Sequence, residues 1–592
     1  MPSINHRNKI AVIGTGASAL YLLKNLLESL DTLSSTIDEI VLFERGSRAG
    51  MGMPYHPATT DCFNLCNISS EEVPYLQQPL ADWLRLRPEE SLSRFNMKRE
   101  TITDTDTYPR LAVGEYFEAQ FHEIVDTLRA HGVRIRVKLN TPVTDLRDNP
   151  TTNTVHLSYG SSTETFDRVV IATGHAFNDG DQPEQGYYAS PWPIQKYLPA
   201  EGKPLNIVVG TLGASLSAFD VVTSIAHRQG RFESQGDTLR FIPHKGVEKF
   251  RIVMHAANGW LPHLQYNQCR PFREVYRYIS RLDLLAMRDT KGQLHLTDFF
   301  DQVCRLVLSN AFAEDGRSDL ATQLLDKNFS LEQFVDQMSA EHTYDNPFEG
   351  MKREFSEAKK KVANSQPVRW KESLDDLMYT LSYHADLLPA EDHLRLKNHV
   401  LPFLNSVIAA MPLTSAAVLL ALYDAGVIDL VAGRAEVTAT RDKQTTITVT
   451  HDDDSTTTHT YGLFVDCTGQ SGLDLKTYPF QTLVAEKSVR AATAPFTNPA
   501  QHNGERHLDL PGITIDAAYR IVGDDNQPNP RIYDIAFPHI AGLRPYSYGL
   551  QACNHTAGVV IEAWKLESTT GSPPPSKTET LTRLHDVVAN EA

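Results

Sequence analysis

The chain has 592 residues, 41% of them hydrophobic and 22% charged, with a formal net charge of −17. That length exceeds what one hydrophobic core supports and calls for two or three domains, while the acidic balance excludes nucleic acid and anionic membranes as natural partners, because phosphate binding draws on Lys and Arg. No apolar run approaches the roughly 20 residues of a bilayer span, Met1–Lys9 is too polar for a signal peptide, and six cysteines do not make a disulfide framework, so the expected compartment is the cytoplasm.

In chain order, Lys9–Ile13 reads as a short apolar strand, followed by a glycine-rich turn and a helical run, Leu20–Leu30. A second strand, Glu39–Phe43, ends on Glu44. The segments Arg134–Val137, Val143–Arg147, Thr154–Ser158 and Phe166–Ile171 alternate as strands and stop at Ala172-Thr173-Gly174. The second half repeats the plan with a strand at Leu205–Leu212, a small-residue turn, a helix around Ala218–Ala226 and a strand at Phe250–His255. From Leu282 to Ala421 apolar residues recur every three or four positions, which predicts a mostly helical insertion, either a substrate-pocket wall or a structural cap. Ile428–Ala432, Ala435–Thr440, Thr445–Thr450 and Leu463–Asp466 then read as a second meander, stopping at Cys467-Thr468-Gly469. Ile532–Ala536 is a strand and Leu550–Leu566 a helix. Three consecutive prolines mark Ser568–Ser576 as a linker before a peripheral tail.

Gly14-Thr-Gly16-Ala17-Ser18-Ala19 is a G-x-G-x-x-A fingerprint between a strand and a helix. Gly14 permits the tight turn, Gly16 lets backbone approach a pyrophosphate, and Ala19 lets helix and strand pack closely. The helix N-terminus offers free N–H groups and its positive dipole end to phosphates. Glu44, closing the second strand, is placed to accept ribose hydroxyls. The expected fold is α/β, with two Rossmann-like dinucleotide-binding domains and an inserted helical region. The expected parts are a first FAD-binding segment over 1–200, a second Rossmann-like domain over 201–281, the helical insertion over 282–421, a meander and C-terminal part of the FAD domain over 422–567, and a linker and tail over 568–592.

The order of Gly50-Met-Gly52-Met-Pro54-Tyr55 and the strands ending in Ala172-Thr173-Gly174 resembles the glutathione-reductase-like class of flavoproteins, which points to FAD. More specifically, the chain resembles an FAD/NAD(P)-binding protein family that includes predicted FAD-dependent urate hydroxylases, distantly related to N-hydroxylating flavin monooxygenases. The residues that carry this likeness run along nearly the whole chain. They are Gly14–Ala19, Gly50–Tyr55, Leu65-Cys-Asn67, Trp83-Leu84, Pro109-Arg110, Gly114-Glu-Tyr116, Ala172–Gly174, Gly213–Asp220, Gly259-Trp-Leu-Pro262 and Leu419–Gly433. The resemblance implies that Glu44, Arg45, Gly52, Asn67, Arg110, Thr173 and Gly174 lie along FAD, with Val143 near the adenine and Gly549 and Leu550 at the flavin ring's O2 edge. It also implies a monooxygenase that takes reducing equivalents from NADPH or NADH and uses O2 on a small molecule.

Two positions depart from the family on the nicotinamide side. Ser215 stands where the second turn, Gly213-Ala-Ser215, would carry its second glycine, and Ala256-Ala257-Asn258 replaces an expected Ser-Arg before Gly259. Asn cannot supply the charge of an Arg fork to a 2′-phosphate, which leaves NADPH, NADH, a separate reductase or reduction by the substrate itself all open. Cys62 and Cys66 sit near the place of a disulfide-reductase redox pair but with three intervening residues rather than four. His255, His263 and Tyr266 flank the second nucleotide turn and read as ordinary polar surface, with substrate or cofactor contact as the alternative. No Cys or His cluster has metal-ligand spacing in the sequence. Tyr546, Tyr548 and Arg110 are the side chains placed for a catalytic role. The expected function is an FAD-dependent oxidoreductase, within that class a monooxygenase. The alternatives are an FAD-dependent oxidase or dehydrogenase reduced by its own substrate, a disulfide reductase, and a non-catalytic flavin-binding sensor.

Overall fold

A computed structural model describes residues 7–572 except 176, 178, 179, 201, 202, 237, 470 and 471. The fingerprint strand, Asn8–Ile13, lies at the centre of a six-stranded sheet ordered Arg520–Val522, Pro528–Asp534, Arg168–Ile171, Asn8–Ile13, Ile37–Phe43, Arg134–Lys138. All neighbours are parallel except the antiparallel edge pair. Strands covered on both faces read as continuous apolar runs, and Ile10, Ala11, Val12 and Ile13 are all buried here. One face is covered by the helices Ala17–Glu28 and Leu550–Thr570, which pack on each other; Asn25 Nδ2 donates to Asn554 Oδ1 across that contact at 3.0 Å.

The second sheet is five-stranded and wholly parallel, ordered Ile428–Ala432, Arg251–Ala256, Val208–Leu212, Leu463–Asp466, Tyr187–Tyr188. Each sheet carries a three-stranded antiparallel meander, Val143–Phe166 in the first half and Arg434–Tyr461 in the second. The two halves therefore echo each other, as expected, but their strand partners differ from the sequence reading. Arg134–Lys138, Ile428–Ala432 and Leu463–Asp466 are not meander strands; each enters a parallel sheet, the last between Val208–Leu212 and the edge strand Tyr187–Tyr188. Residues 422–567 are consequently divided, pairing with the second sheet up to Asp466 and with the first sheet from Arg520 onward. Short alternating strands look alike whether the partner is a local hairpin or a remote parallel strand.

From Arg281 to Asp424 the chain is helical. Most of this stretch shares a core of its own, built on Phe300, Phe312, Phe334, Leu377 and Phe403. The last helix, Leu413–Asp424, instead buries Leu419, Leu420 and Leu422 against the second sheet's core. Hairpins at 230–243 and 491–513 complete the fold. The terminal helix runs through Thr570 and closes on Gly571 at φ +69°. Ser568–Thr570, expected in the linker, belong to this helix, and the three prolines with the tail, residues 573–592, lie outside the described residues. No helix among them is long and apolar enough to cross a membrane.

Candidate functional site

The glycine motifs of the first half converge on one point. Gly14 turns at φ +95°, and a Cβ there would lie 2.5 Å from the Ala172 carbonyl oxygen, so the first turn and the Ala172-Thr173-Gly174 strand end share contact. A Cβ on Gly16 would stand 3.2 Å from Gly52 Cα, and one on Gly52 3.1 Å from Gly16 Cα. Bare backbone therefore faces bare backbone, the arrangement a close-packed pyrophosphate requires. Gly114 meets Tyr55 in the same way, with a Cβ falling 2.3 Å from the Tyr55 carbonyl oxygen, so two sequence motifs 59 positions apart share one contact. Glu44 reaches back to the turn, accepting from Thr15 N at 3.2 Å, Thr15 Oγ1 at 2.6 Å and Gly46 N at 2.8 Å.

Three long helices start without a side-chain cap: Ala17–Glu28 after Gly16 at this junction, Leu216–Gln229 after Ser215 at the second turn, and Leu550–Thr570 after Gly549, again at this junction. Their first N–H groups have no partner within the helix and are free for an anion. Ser18 and Cys553 touch, Oγ to Sγ at 3.4 Å, which brings the first and last of these N-termini together. The Thr173 hydroxyl is buried at this junction with no hydrogen-bond partner. Of the other expected contacts, Val143 is half-buried at the meander's start, while Arg45, Asn67 and Gly174 are exposed.

The second turn repeats the first. Gly213, at φ +103°, lies against the end of the Leu463–Asp466 strand, where a Cβ would be 3.2 Å from the Cys467 carbonyl oxygen. Ser215 occupies the N-cap, and Ala257 and Asn258 are exposed beyond the second strand.

Arg110 is not a free cation beside the turn. Its Nη2 lies 2.7 Å from Asp220 Oδ2 on the second domain's first helix, and its Nε donates to the Leu65 carbonyl at 3.0 Å. Burial pushes the Asp220 carboxyl up to about 6 against the opposing pull of Arg110. Around this pair Asn64 Nδ2 donates to the Asp220 carbonyl at 3.1 Å and to Ser224 Oγ at 2.9 Å, and Arg228 grips Asp61 at 2.7 Å and 3.1 Å. Phe63 stacks on His227 at 3.7 Å. Residues 60–66 are thus the seam that staples the two nucleotide domains.

That seam accounts for the paired cysteines. Burial pushes the thiol of Cys62 up to about 11 and that of Cys66 up to about 12. A thiol that stays protonated at neutral pH is a poor nucleophile, so the burial of this pair argues against a dithiol relay. We expect the double variant Cys62→Ser, Cys66→Ser to turn over within about twofold of the native protein in a flavin-reduction assay; loss of turnover would restore the disulfide-reductase reading.

His255 and His263 are buried, not surface residues. His255 Nε2 lies 2.7 Å from Tyr461 Oη, so it is core packing at the second sheet. His263 stacks on His342 at 3.7 Å and 14°, and Glu354 Oε1 lies 2.7 Å from His342 Nδ1. These three residues bring ligand-type atoms within 4.8 Å of one another, a cluster no sequence spacing announces. Nearly parallel rings hold their in-plane lone pairs in separate planes, and His342 Nε2 already lies 2.6 Å from the Leu261 carbonyl oxygen. The cluster therefore serves as a buried polar joint between the second domain and the helices.

What the sequence missed lies where the last helix meets the helical region. Tyr546, an expected catalytic side chain, donates to Asp375 Oδ1 at 2.7 Å, and Tyr548 stands edge-on to it at 5.1 Å. Arg273 Nε donates to the other Asp375 oxygen at 3.1 Å. On the last helix's first turn, Gln551 accepts from Arg273 N at 2.9 Å and donates to the carbonyls of Glu72 and Pro271. His555 Nδ1 lies 2.6 Å from Tyr379 Oη, and burial, assisted by the Arg273 charge, pushes its imidazole down to about 4. Helix Arg369–Ser382 supplies this face through Asp375, Tyr379 and Ser382, while Leu374, Leu377, Met378 and Leu381, on its opposite stripe, line an apolar interior. The legible signal was that i, i+4, i+7 polar stripe beside the apolar stripe of the same helix.

Residues 11–176 match the FAD-NAD(P)-binding family, and residues 281–408 match the YdhS-like middle domain. The first of these segments is therefore an FAD/NAD(P)-binding domain. Over most of its length the chain is similar to the uncharacterized protein YdhS of Escherichia coli, 28% identical over 476 residues that cover 80% of this chain and 85% of that one. Among solved structures it is similar to the ornithine N-hydroxylase of Kutzneria sp. 744, at 15% identity and TM-score 0.44 with 95% of this chain and 99% of that one covered. It is also similar to the ornithine hydroxylase PvdA of Pseudomonas aeruginosa, at 10% identity and TM-score 0.46 with 94% and 99% covered.

Proposed function

We propose that the protein is an FAD-dependent oxidoreductase and, within that class, a monooxygenase acting on a small molecule with NAD(P)H and O2. The observation that carries this reading is the meeting of two uncapped helix N-termini, Ala17–Glu28 and Leu550–Thr570, with the paired bare backbones of Gly16 and Gly52, in a chain that repeats the turn and uncapped helix at Gly213–Leu216. In this reading the backbone of Gly14–Ala19 holds the pyrophosphate and Glu44 the ribose, while the buried Thr173 hydroxyl gains a partner in the cofactor. The Gly549–Leu550 helix start holds the ring's O2 edge, where its dipole favours negative charge. Bound FAD supplies hydride acceptance and oxygen activation. The chain's own part is to position substrate and exclude water: Tyr379, Tyr383 and Tyr546 are fully buried beside that helix start, a wall bulk solvent does not cross.

Anaerobic addition of NADPH and then NADH, followed by absorbance at the flavin bands, tests this directly. Rapid bleaching by either, reversed by O2, is the expected result. Bleaching by neither sinks the monooxygenase reading in favour of a flavoenzyme reduced by its own substrate. Ser215 at the second turn and the uncharged Ala257-Asn258 pair beyond the second strand are the observations that favour that second reading.

A further inference from the structure

We propose that Arg273 is the substrate anchor of this site, and that the group it takes is a carbonyl or carboxylate oxygen of a small molecule rather than a protonated amine. The inference rests on the oxidoreductase reading for the site's location and on the Arg273 surroundings for the substrate's chemistry.

Arg273 is oriented by its main chain, its Nε and the face of its guanidinium. Nε donates to Asp375, the main-chain N donates to Gln551, and the guanidinium lies over the rings of Tyr546 and Tyr379, 5.2 Å and 5.5 Å from their centroids. Tyr546 ties down the second Asp375 oxygen, so the carboxylate that orients Arg273 is itself fixed. Nη1 remains: it is buried and has no acceptor. A buried charged donor without a partner is costly. Such a group persists where a ligand completes it, because the polar groups of a binding site are oriented before the ligand arrives. Its place fits that use, since Gln551 ties the Arg273 backbone to the first turn of Leu550–Thr570.

The same contacts set the class of ligand. An amine would need an unengaged carboxylate, and the acids of this cluster are spoken for. Asp375 binds Arg273 and Tyr546, and Asp376 pairs with Arg277 and accepts from Glu274 N. Glu72 accepts from Ser69 N, Ser69 Oγ and Gln268 Nε2. With Asp375 balancing Arg273, the site has no surplus cation for a dianionic phosphate. One planar acceptor oxygen, neutral or singly charged, is what the open Nη1 matches.

The test titrates the FAD-loaded protein with benzoate, benzamide and benzylamine while following the flavin difference spectrum, in the native protein and in the variants Arg273→Gln and Arg273→Lys. Benzoate or benzamide should give a saturable perturbation and benzylamine none. Arg273→Gln should weaken the bound acid or amide by roughly tenfold or more, the worth of a charge-assisted hydrogen bond, with FAD content and Tm preserved and partial recovery in Arg273→Lys. Benzylamine binding as tightly as benzoate, absence of any acid or amide perturbation, or undiminished binding in Arg273→Gln would each overturn the proposal. The native comparison of the three probes decides the ligand class even where a variant fails to fold. Anaerobic NAD(P)H reduction on the same preparations reports separately on the oxidoreductase reading.

Discussion

Gly16→Val is expected to purify as a folded, colourless protein holding less than about a tenth of the native FAD. Gly16 and Gly52 present backbone to backbone, and a Cβ on Gly16 would lie 3.2 Å from Gly52 Cα. Gly52 cannot readily swing aside, because it sits at φ +72° and leads directly into the turn Met53–Tyr55. The branched side chain occupies the space that a pyrophosphate needs beside the first N–H groups of Ala17–Glu28. Those charge-assisted bonds contribute about 1.5–3 kcal/mol each, so losing one or two lowers affinity at least tenfold. The substitution puts its bulk at an N-cap with no side-chain bond to lose, so the sheet beneath, built on Ile10–Ile13, keeps its packing. The ratio of 450 nm to 280 nm absorbance, with circular dichroism as the fold control, measures both. Ser215→Val, at the equivalent cap of the second domain, should keep its FAD. A yellow Gly16→Val protein with full cofactor content would remove the first turn from the FAD site.

The second large effect is expected at the domain seam. Arg110→Met leaves the Asp220 carboxylate buried without its cation, and breaking a buried pair costs about 3–5 kcal/mol. The pH dependence carries a definite sign. The folded Asp220 carboxyl titrates near 6, raised chiefly by burial above its ordinary 3.8. Its contribution to stability is thus full below about pH 4 and lost as pH rises through 6, in total about 3 kcal/mol. Asp220→Asn has no such proton to lose. The native protein should therefore lose stability relative to Asp220→Asn between pH 4 and 7, by up to one proton's slope in the urea midpoint. Parallel curves for the two proteins would show that Asp220 is ionised throughout this range.

The sequence alone determined the first turn, the echo of the plan in the second half and the helical insertion. Each of these depends on local rules. A G-x-G-x-x-A turn needs particular backbone freedom at Gly14 and Gly16, a two-sided parallel strand needs an unbroken apolar run, and a buried helix needs apolar residues every three or four positions. Patterning reports that a residue is buried, and is silent on what buries it. Ile428–Ala432 and Leu463–Asp466 looked like hairpin strands until their partners proved to be Arg251–Ala256 and Val208–Leu212, more than 170 positions away. Arg110 carried a nucleotide-site expectation, yet its nearest charge is Asp220, 110 positions on. Tyr546 was singled out in the sequence, but its partner Asp375 and their neighbour Arg273 were not, because a polar stripe on a helix reads equally as solvated surface and an isolated Arg in a loop carries no spacing signal. Only the tertiary structure decided which charges neutralise one another, and that pairing leaves the buried Arg273 Nη1 without an acceptor near the start of the last helix.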